Sequence, residues 1–175
     1  NLELLASMRD NTRRGSLLWL LDKTETAMGA RLLRKWICYP LIEAGPIRER
    51  HAAVEEFFEK FNLREETRGA LSKIQDLERL AGRIGLASCN ARDLVGLRIS
   101  LEMLPGLKDL LAGCEAPLTR GLLENLDDLA DVRELIARSI HPEPPIALRE
   151  GGLIADGFNE QLDDLRKIAY KGKGY

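Results

Sequence analysis

Leucines at positions 94, 97, 101 and 104 fall three, four and three residues apart, the seam of a helix packed along another helix. They sit in the longest helical pattern of the chain, 91–112, which Asn90 can cap. Pro105-Gly106 interrupts this run. A proline inside a helix costs about 3 kcal/mol, so a kink or a restart is expected there. A seam of this kind needs other helices to cover it, and the composition supplies them. The chain has 32 leucines, only 5% aromatics, scarce valine and almost no β-branched runs. Its 175 residues, 45% of them hydrophobic, can build one domain or two small ones around a real core. The predicted fold class is all-α, an irregular multi-helix bundle.

Residues 1–15 are rich in Arg, Asn and Gly and read as an opening strand or loop. Ser16 to Asp22 is a short apolar element whose periodicity fits a buried strand or a helix, and a short helix capped by Ser16 is the preferred reading. A firmer helix is expected from Ala27 to Cys38, with Thr26 as N-cap and Gly29, Leu32, Leu33 and Trp36 on one face. Pro40 ends it, because the residue before a proline is pushed out of the α region. Pro46 suits the start of the next helix, whose stripe runs through Ile47, Val54, Phe57 or Phe58, and Phe61. Two shorter helices follow over 63–73 and 76–87, the second capped by Asp76. Others run from Pro117 to about Leu126 and from Asp131 to about Ile140. The expected structural core is Leu32, Leu33, Trp36, Leu97 and Leu101.

His141-Pro142-Glu143-Pro144-Pro145 cannot be helical and reads as a stiff connector. Beyond it, Gly151 and Gly152 are suited to the positive φ angles of a tight turn, which predicts a small β-hairpin near 146–154. Asn159 caps a final helix with Leu162, Leu165 and Ala169 on its apolar face. Gly172 and Gly174 weaken its far end by roughly 1 kcal/mol each. The chain opens without Met and stops at Tyr175 without a convincing cap, so the expectation is a fragment whose C-terminal helix is truncated. Leu162, Leu165, and Ile168 or Ala169 should then be unusually exposed or covered by another copy.

The net charge of −2 argues against a dedicated nucleic-acid binder. Residues 1–50 nevertheless carry nine Lys/Arg against six Asp/Glu. Within a mildly basic region that also contains Arg9, the candidates for phosphate contact are Arg13, Arg14, Arg31, Arg34 and Lys35, and a solvated helix face is the preferred reading of them. Three cysteines, Cys38, Cys89 and Cys114, are odd in number, widely spaced and without C-x-x-C, which fits unpaired, buried thiols in a reducing cytoplasm. No signal peptide and no apolar run of membrane-spanning length is present.

Catalytic patterns are absent from the sequence. His51 and His141 lie far apart, outside any cluster with metal-ligand spacing; His51 reads as a core-edge residue and His141 as part of a helix end. Gly172-Lys173-Gly174 lacks the first glycine and the hydroxyl residue of a phosphate loop. Gly151, Gly152 and Gly157 do not make a dinucleotide fingerprint. The adjacent carboxylates Glu55-Glu56, Glu65-Glu66, Asp127-Asp128 and Asp163-Asp164 point in different directions on a helix, so they read as solvated faces. The expectation is no catalytic, cofactor-binding or metal-ligating residue.

Three stretches carry a family resemblance. The first is Asn1-Leu2-Glu3-Leu4 with Leu17-Leu18-Trp19-Leu20-Leu21-Asp22-Lys23-Thr24-Glu25-Thr26-Ala27-Met28-Gly29-Ala30-Arg31-Leu32-Leu33, Trp36 and Pro40-Leu41. The second is Asp76-Leu77-Glu78-Arg79-Leu80. The third runs from Pro144-Pro145 to Arg166, with the pattern E-G-G-x-I-x-x-G-x-N-x-x-L-D-x-L-R. In this order they resemble the MutS family of DNA mismatch-repair proteins and bracket nearly the whole chain.

The resemblance implies a division at about residue 157. Residues 1–157 would be the first part of the helical core domain, and 158–175 the start of the outgoing lever helix. The mismatch-binding, connector, clamp and ATPase domains would lie elsewhere in a longer polypeptide. The chain itself would not be an enzyme and would hold no cofactor. The parent would be a cytoplasmic, DNA-dependent ATPase using ATP and Mg, homodimeric, with mismatched duplex DNA and its own remaining domains as partners and no membrane association. The role implied is a scaffold transmitting conformational change between DNA clamp and ATPase. A stand-alone helical protein-interaction module is the alternative. None of the family's ATP-binding or mismatch-contacting residues has a counterpart among these positions.

Overall fold

The computed structural model describes residues 3–172. Asn1, Leu2 and the expected end of the final helix at Tyr175 lie outside the described residues. The described elements are α1 (Leu17–Leu21), α2 (Ala27–Cys38), α3 (Ala44–Glu59), α4 (Phe61–Leu71), α5 (Leu77–Gly85), α6 (Ala91–Glu102), α7 (Leu104–Leu111), α8 (Pro117–Glu124), α9 (Ala130–Ser139), a 3-10 turn (Leu148–Glu150) and α10 (Glu160–Gly172). Among the described residues there is no β-strand, and the chain is mostly helical.

Helix ends follow the capping chemistry. Ser16 Oγ accepts the Trp19 N–H at 3.2 Å and opens α1, and Thr26 Oγ1 accepts the Gly29 N–H at 3.0 Å and opens α2. At α6, Asn90 Oδ1 accepts the Asp93 N–H at 2.9 Å while Asp93 Oδ2 accepts the Asn90 N–H at 2.8 Å, a reciprocal capping box. The long run 91–112 is broken between Glu102 and Leu104, and Pro105 enters the first turn of α7, where its missing N–H costs nothing.

The chain divides into two compact units. One comprises Asn1–Glu78 and Glu102–Asp128. In it α4 packs on α7, α3 on α8 and α4, α7 on α8, and α1 on α2. Its buried side chains include Leu18, Ile74, Leu104, Leu107, Cys114 and Ala116. The other comprises Arg79–Leu101 and Leu129–Tyr175, with Leu80, Leu101 and Ile136 buried.

The expected core is distributed differently. Leu101 is 1% exposed, and Leu33 and Leu97 are half-buried, but Leu32 is 47% and Trp36 37% exposed. No residue of α2 is buried. Helical period identifies which residues share a face, not what covers that face. The Trp36 ring is instead faced by the Arg50 guanidinium, 3.6 Å from its centroid, a cation–π contact. The same distinction applies to His51, which is exposed, and to the thiols. All three cysteines are unpaired, but only Cys114 is buried.

The β-hairpin expected near 146–154 does not form. Residues Leu148–Glu150 make a 3-10 turn, and among the described residues the only β pairing is an isolated antiparallel bridge between Ile140 and Ile154. His141 N donates to Leu153 O at 2.8 Å and Ala155 N to Ser139 O at 2.9 Å. The returning segment thus pairs with the end of α9. The prolines explain the choice, since Pro142, Pro144 and Pro145 lack the N–H groups a ladder needs. Gly151 and Gly152 do adopt positive φ, at 72° and 68°. At Gly151 ψ is −171°, a region essentially reserved for glycine. Gly151→Ala is therefore expected to destabilise the chain by about 1–3 kcal/mol, read from a urea midpoint, although space for the methyl is open.

Candidate functional site

The polar residues of the motif-like stretches converge on joints between elements. Asp22 Oδ1 accepts the Thr24 hydroxyl at 2.7 Å and the Thr24 N–H at 3.1 Å, and Arg13 pairs with its other oxygen. The Thr24 hydrogen bonds hold the Asp22 carboxyl below the usual carboxylate range. This turn leads into the Thr26 cap. A Cβ on Gly29 would lie 3.1 Å from Thr26 Oγ1 and 3.4 Å from Thr24 Cβ, which is why a glycine stands one turn into α2.

Two residues later in α2, Arg31 reaches the start of α5. Its Nη1 and Nη2 donate to the two Asp76 oxygens at 2.8 and 2.7 Å, and its Nε and Nη2 donate to Glu78 Oε2 at 2.9 and 2.5 Å. One planar fork therefore holds two carboxylates, a task a lysine could not perform. The hydrogen bonds it donates to Asp76, and then to Glu78, raise the Arg31 pKa above its ordinary value. Arg68 of α4 grips the same region from another side, pairing with Glu25 and donating to Lys23 O at 2.9 Å.

A third joint caps α8 from α3. Glu56 accepts the Glu115 N–H at 2.7 Å and the Ala116 N–H at 3.0 Å, and Lys60 Nζ donates to its Oε1 at 2.8 Å. Burial pushes the Glu56 carboxyl up, but the Lys60 ammonium and the two backbone N–H groups outweigh it and leave the pKa lowered. Cys114, beside this joint, is pushed up by burial and by the Glu56 charge, so it remains a thiol.

The basic candidates divide accordingly. Arg13 and Arg31 are engaged by Asp22 and by Asp76 with Glu78. Arg14, Arg34 and Lys35 are exposed, with no carboxylate partner among the described residues. Among the described residues, no group of three His, Cys, Asp or Glu side chains could hold a metal ion, and no helix is long and apolar enough to cross a membrane. His141 Nδ1 accepts the Glu143 N–H at 3.1 Å and orders the proline-rich connector.

The model of MutS domain III matches residues 1–171. This chain belongs to the MutS domain III family. Curated relatives agree, each named DNA mismatch repair protein MutS. Those of Symbiobacterium thermophilum and Ruminiclostridium cellulolyticum are both 49% identical over 175 residues, all of this chain and 20% of their own length. That of Clostridium botulinum is 46% identical over 173 residues, 99% of this chain and 18% of its own length. The chain thus spans about a fifth of the length of the MutS relatives it matches. In this domain III the family-like residues Asp22, Thr26, Gly29, Arg31, Asp76 and Glu78 all act in internal joints. Glu56, read from the sequence as part of a solvated face, instead has a side chain only 9% exposed and caps α8. Its one visible signal was a glutamate one turn before Lys60.

Proposed function

We propose that this domain III is a non-catalytic scaffold inside a longer, cytoplasmic DNA mismatch-recognition ATPase, and that it transmits displacement between DNA-holding and nucleotide-hydrolysing parts. In this reading ATP, Mg and mismatched duplex DNA are handled by the rest of a homodimeric parent, and α10 is the root of an outgoing lever helix. The observation that carries the reading is the Arg31 fork, which ties the Met28-Gly29-Ala30-Arg31 stretch to both acids of Asp76-Leu77-Glu78. Residues committed to one another in this way serve the domain's internal structure rather than a ligand. Rigid, packed elements are what coupling between distant sites requires.

Two measurements test it together. The full-length protein is expected to hydrolyse ATP at a rate that changes when a mismatched duplex is added. The 175-residue chain alone is expected to show no nucleotide turnover and no steep salt-dependent retention of the same duplex. Turnover by the chain itself, or a steep salt slope, would overturn the scaffold reading.

A further inference from the structure

A single arginine fastens α10 at its root. Arg166 Nη2 donates to the Ile154 carbonyl at 2.9 Å, and its Nη1 donates to Asp156 Oδ1 at 2.7 Å and to Asp163 Oδ1 at 3.2 Å. Asp163 in turn uses its other oxygen to accept the Gly157 N–H at 2.8 Å. Ile154 is also the residue bridged to Ile140, directly after α9. The contacts are unequal in weight. Asp156 is 92% exposed, and an ion pair to so solvated a carboxylate contributes little. The Ile154 carbonyl and Asp163, 21% exposed, carry the joint.

Between the bridge and α10 lies the turn 155–159. It contains Gly157 at φ 82°, and its own backbone bond, Phe158 N to Ala155 O, is long at 3.4 Å. Left to itself, such a turn is a pivot. We propose that Arg166 is a positioning residue that abolishes this pivot, making α9, the Ile140–Ile154 bridge and α10 one rigid piece. A displacement of α10 is then delivered to α9 and is not absorbed in the turn. The inference rests on the reading of α10 as a lever root. Arginine is required because its planar fork serves a carbonyl and a carboxylate at once, which an ammonium on a flexible stem does not.

The test uses the full-length protein with Arg166→Ala, Arg166→Lys and Asp163→Asn. Hydrolysis without DNA and affinity for a mismatched duplex are expected to stay within about twofold of the parent. The ratio of hydrolysis with and without the duplex should move toward one by roughly fivefold in the alanine variant, with the lysine variant between. Amide exchange should accelerate at Gly157 and Ala155 and stay unchanged in α9. An alanine variant that keeps both the parental ratio and the parental exchange at Gly157 overturns the proposal. Should the alanine variant not fold, the Arg166→Lys and Asp163→Asn proteins give the same two readouts. A parent with no duplex-dependent hydrolysis would strike the scaffold reading instead, and the exchange at Gly157 would still decide whether the joint exists.

Discussion

Leu101→Ala is expected to lower the unfolding free energy by about 3–5 kcal/mol, the upper part of the range for a leucine truncated in a well-packed interior. The side chain is 1% exposed, and its neighbour Ser100 is fully buried with its hydroxyl bonded to Gly96 O at 2.8 Å. The backbone here is held by α6, so it has little freedom to collapse into the space left behind. Urea unfolding of the chain would show the loss as a lower midpoint at nearly constant slope. Leu32→Ala provides the contrast. With Leu32 47% exposed, the same truncation removes less buried surface and should cost well under half as much. Equal costs at the two positions would contradict the observed distribution of the core.

Glu56→Ala should have the second largest effect, about 2–3 kcal/mol, because it removes a charged acceptor from two backbone N–H groups at the start of α8. Neither group has a substitute within its own helix, since Pro117 begins α8 and Ala116 provides no side-chain cap. The pH dependence has a definite sign. The folded-state pKa of Glu56 is depressed, so its contribution is fully present above the ordinary glutamate value of 4.5. It is lost as pH falls from there through the depressed folded value. The difference in stability between parent and Glu56→Ala should therefore be constant near neutrality and shrink in acid. A difference that grows on acidification would mean that the carboxylate is not the stabilising species.

Much of the helical architecture was legible because it depends on local chemistry. Thr26, Asn90 and Asn159 each cap the helix they precede, and Pro105 and Pro117 each stand in a first turn. Such signals are readable because donor and acceptor lie three residues apart. The joints were not legible, because their partners lie far apart in sequence. Arg31 and Asp76 are 45 positions apart, and Glu56 and Ala116 are 60 apart. A basic residue on a helix looks the same whether it faces water, a phosphate or a distant carboxylate, so Arg13 and Arg31 could be read as phosphate contacts when their charges are in fact engaged internally. The hairpin failed for a related reason. Gly151 and Gly152 correctly signalled positive φ, but the glycines could not say which segment would return, and the prolines before them had already removed the local partner. On α10, Leu165 and Ile168 are 63% and 68% exposed, as expected for that face, whereas Leu162 is half-buried.

The Ile140–Ile154 bridge also makes the segment between its arms a natural place to lengthen the polypeptide. The two bonds at its base, from His141 and Ala155, tie the ends together regardless of what lies between. Closure entropy grows only with the logarithm of contour length, about 0.6 kcal/mol for each doubling. Near the tip, Leu148 is 84% exposed, whereas Pro144 is buried and accepts a hydrogen bond from Arg92 at 3.0 Å. A fluorescent or affinity tag grafted beside Leu148, leaving Pro144 and the two glycines untouched, would report on this end of α9 and α10 without disturbing the core that holds them.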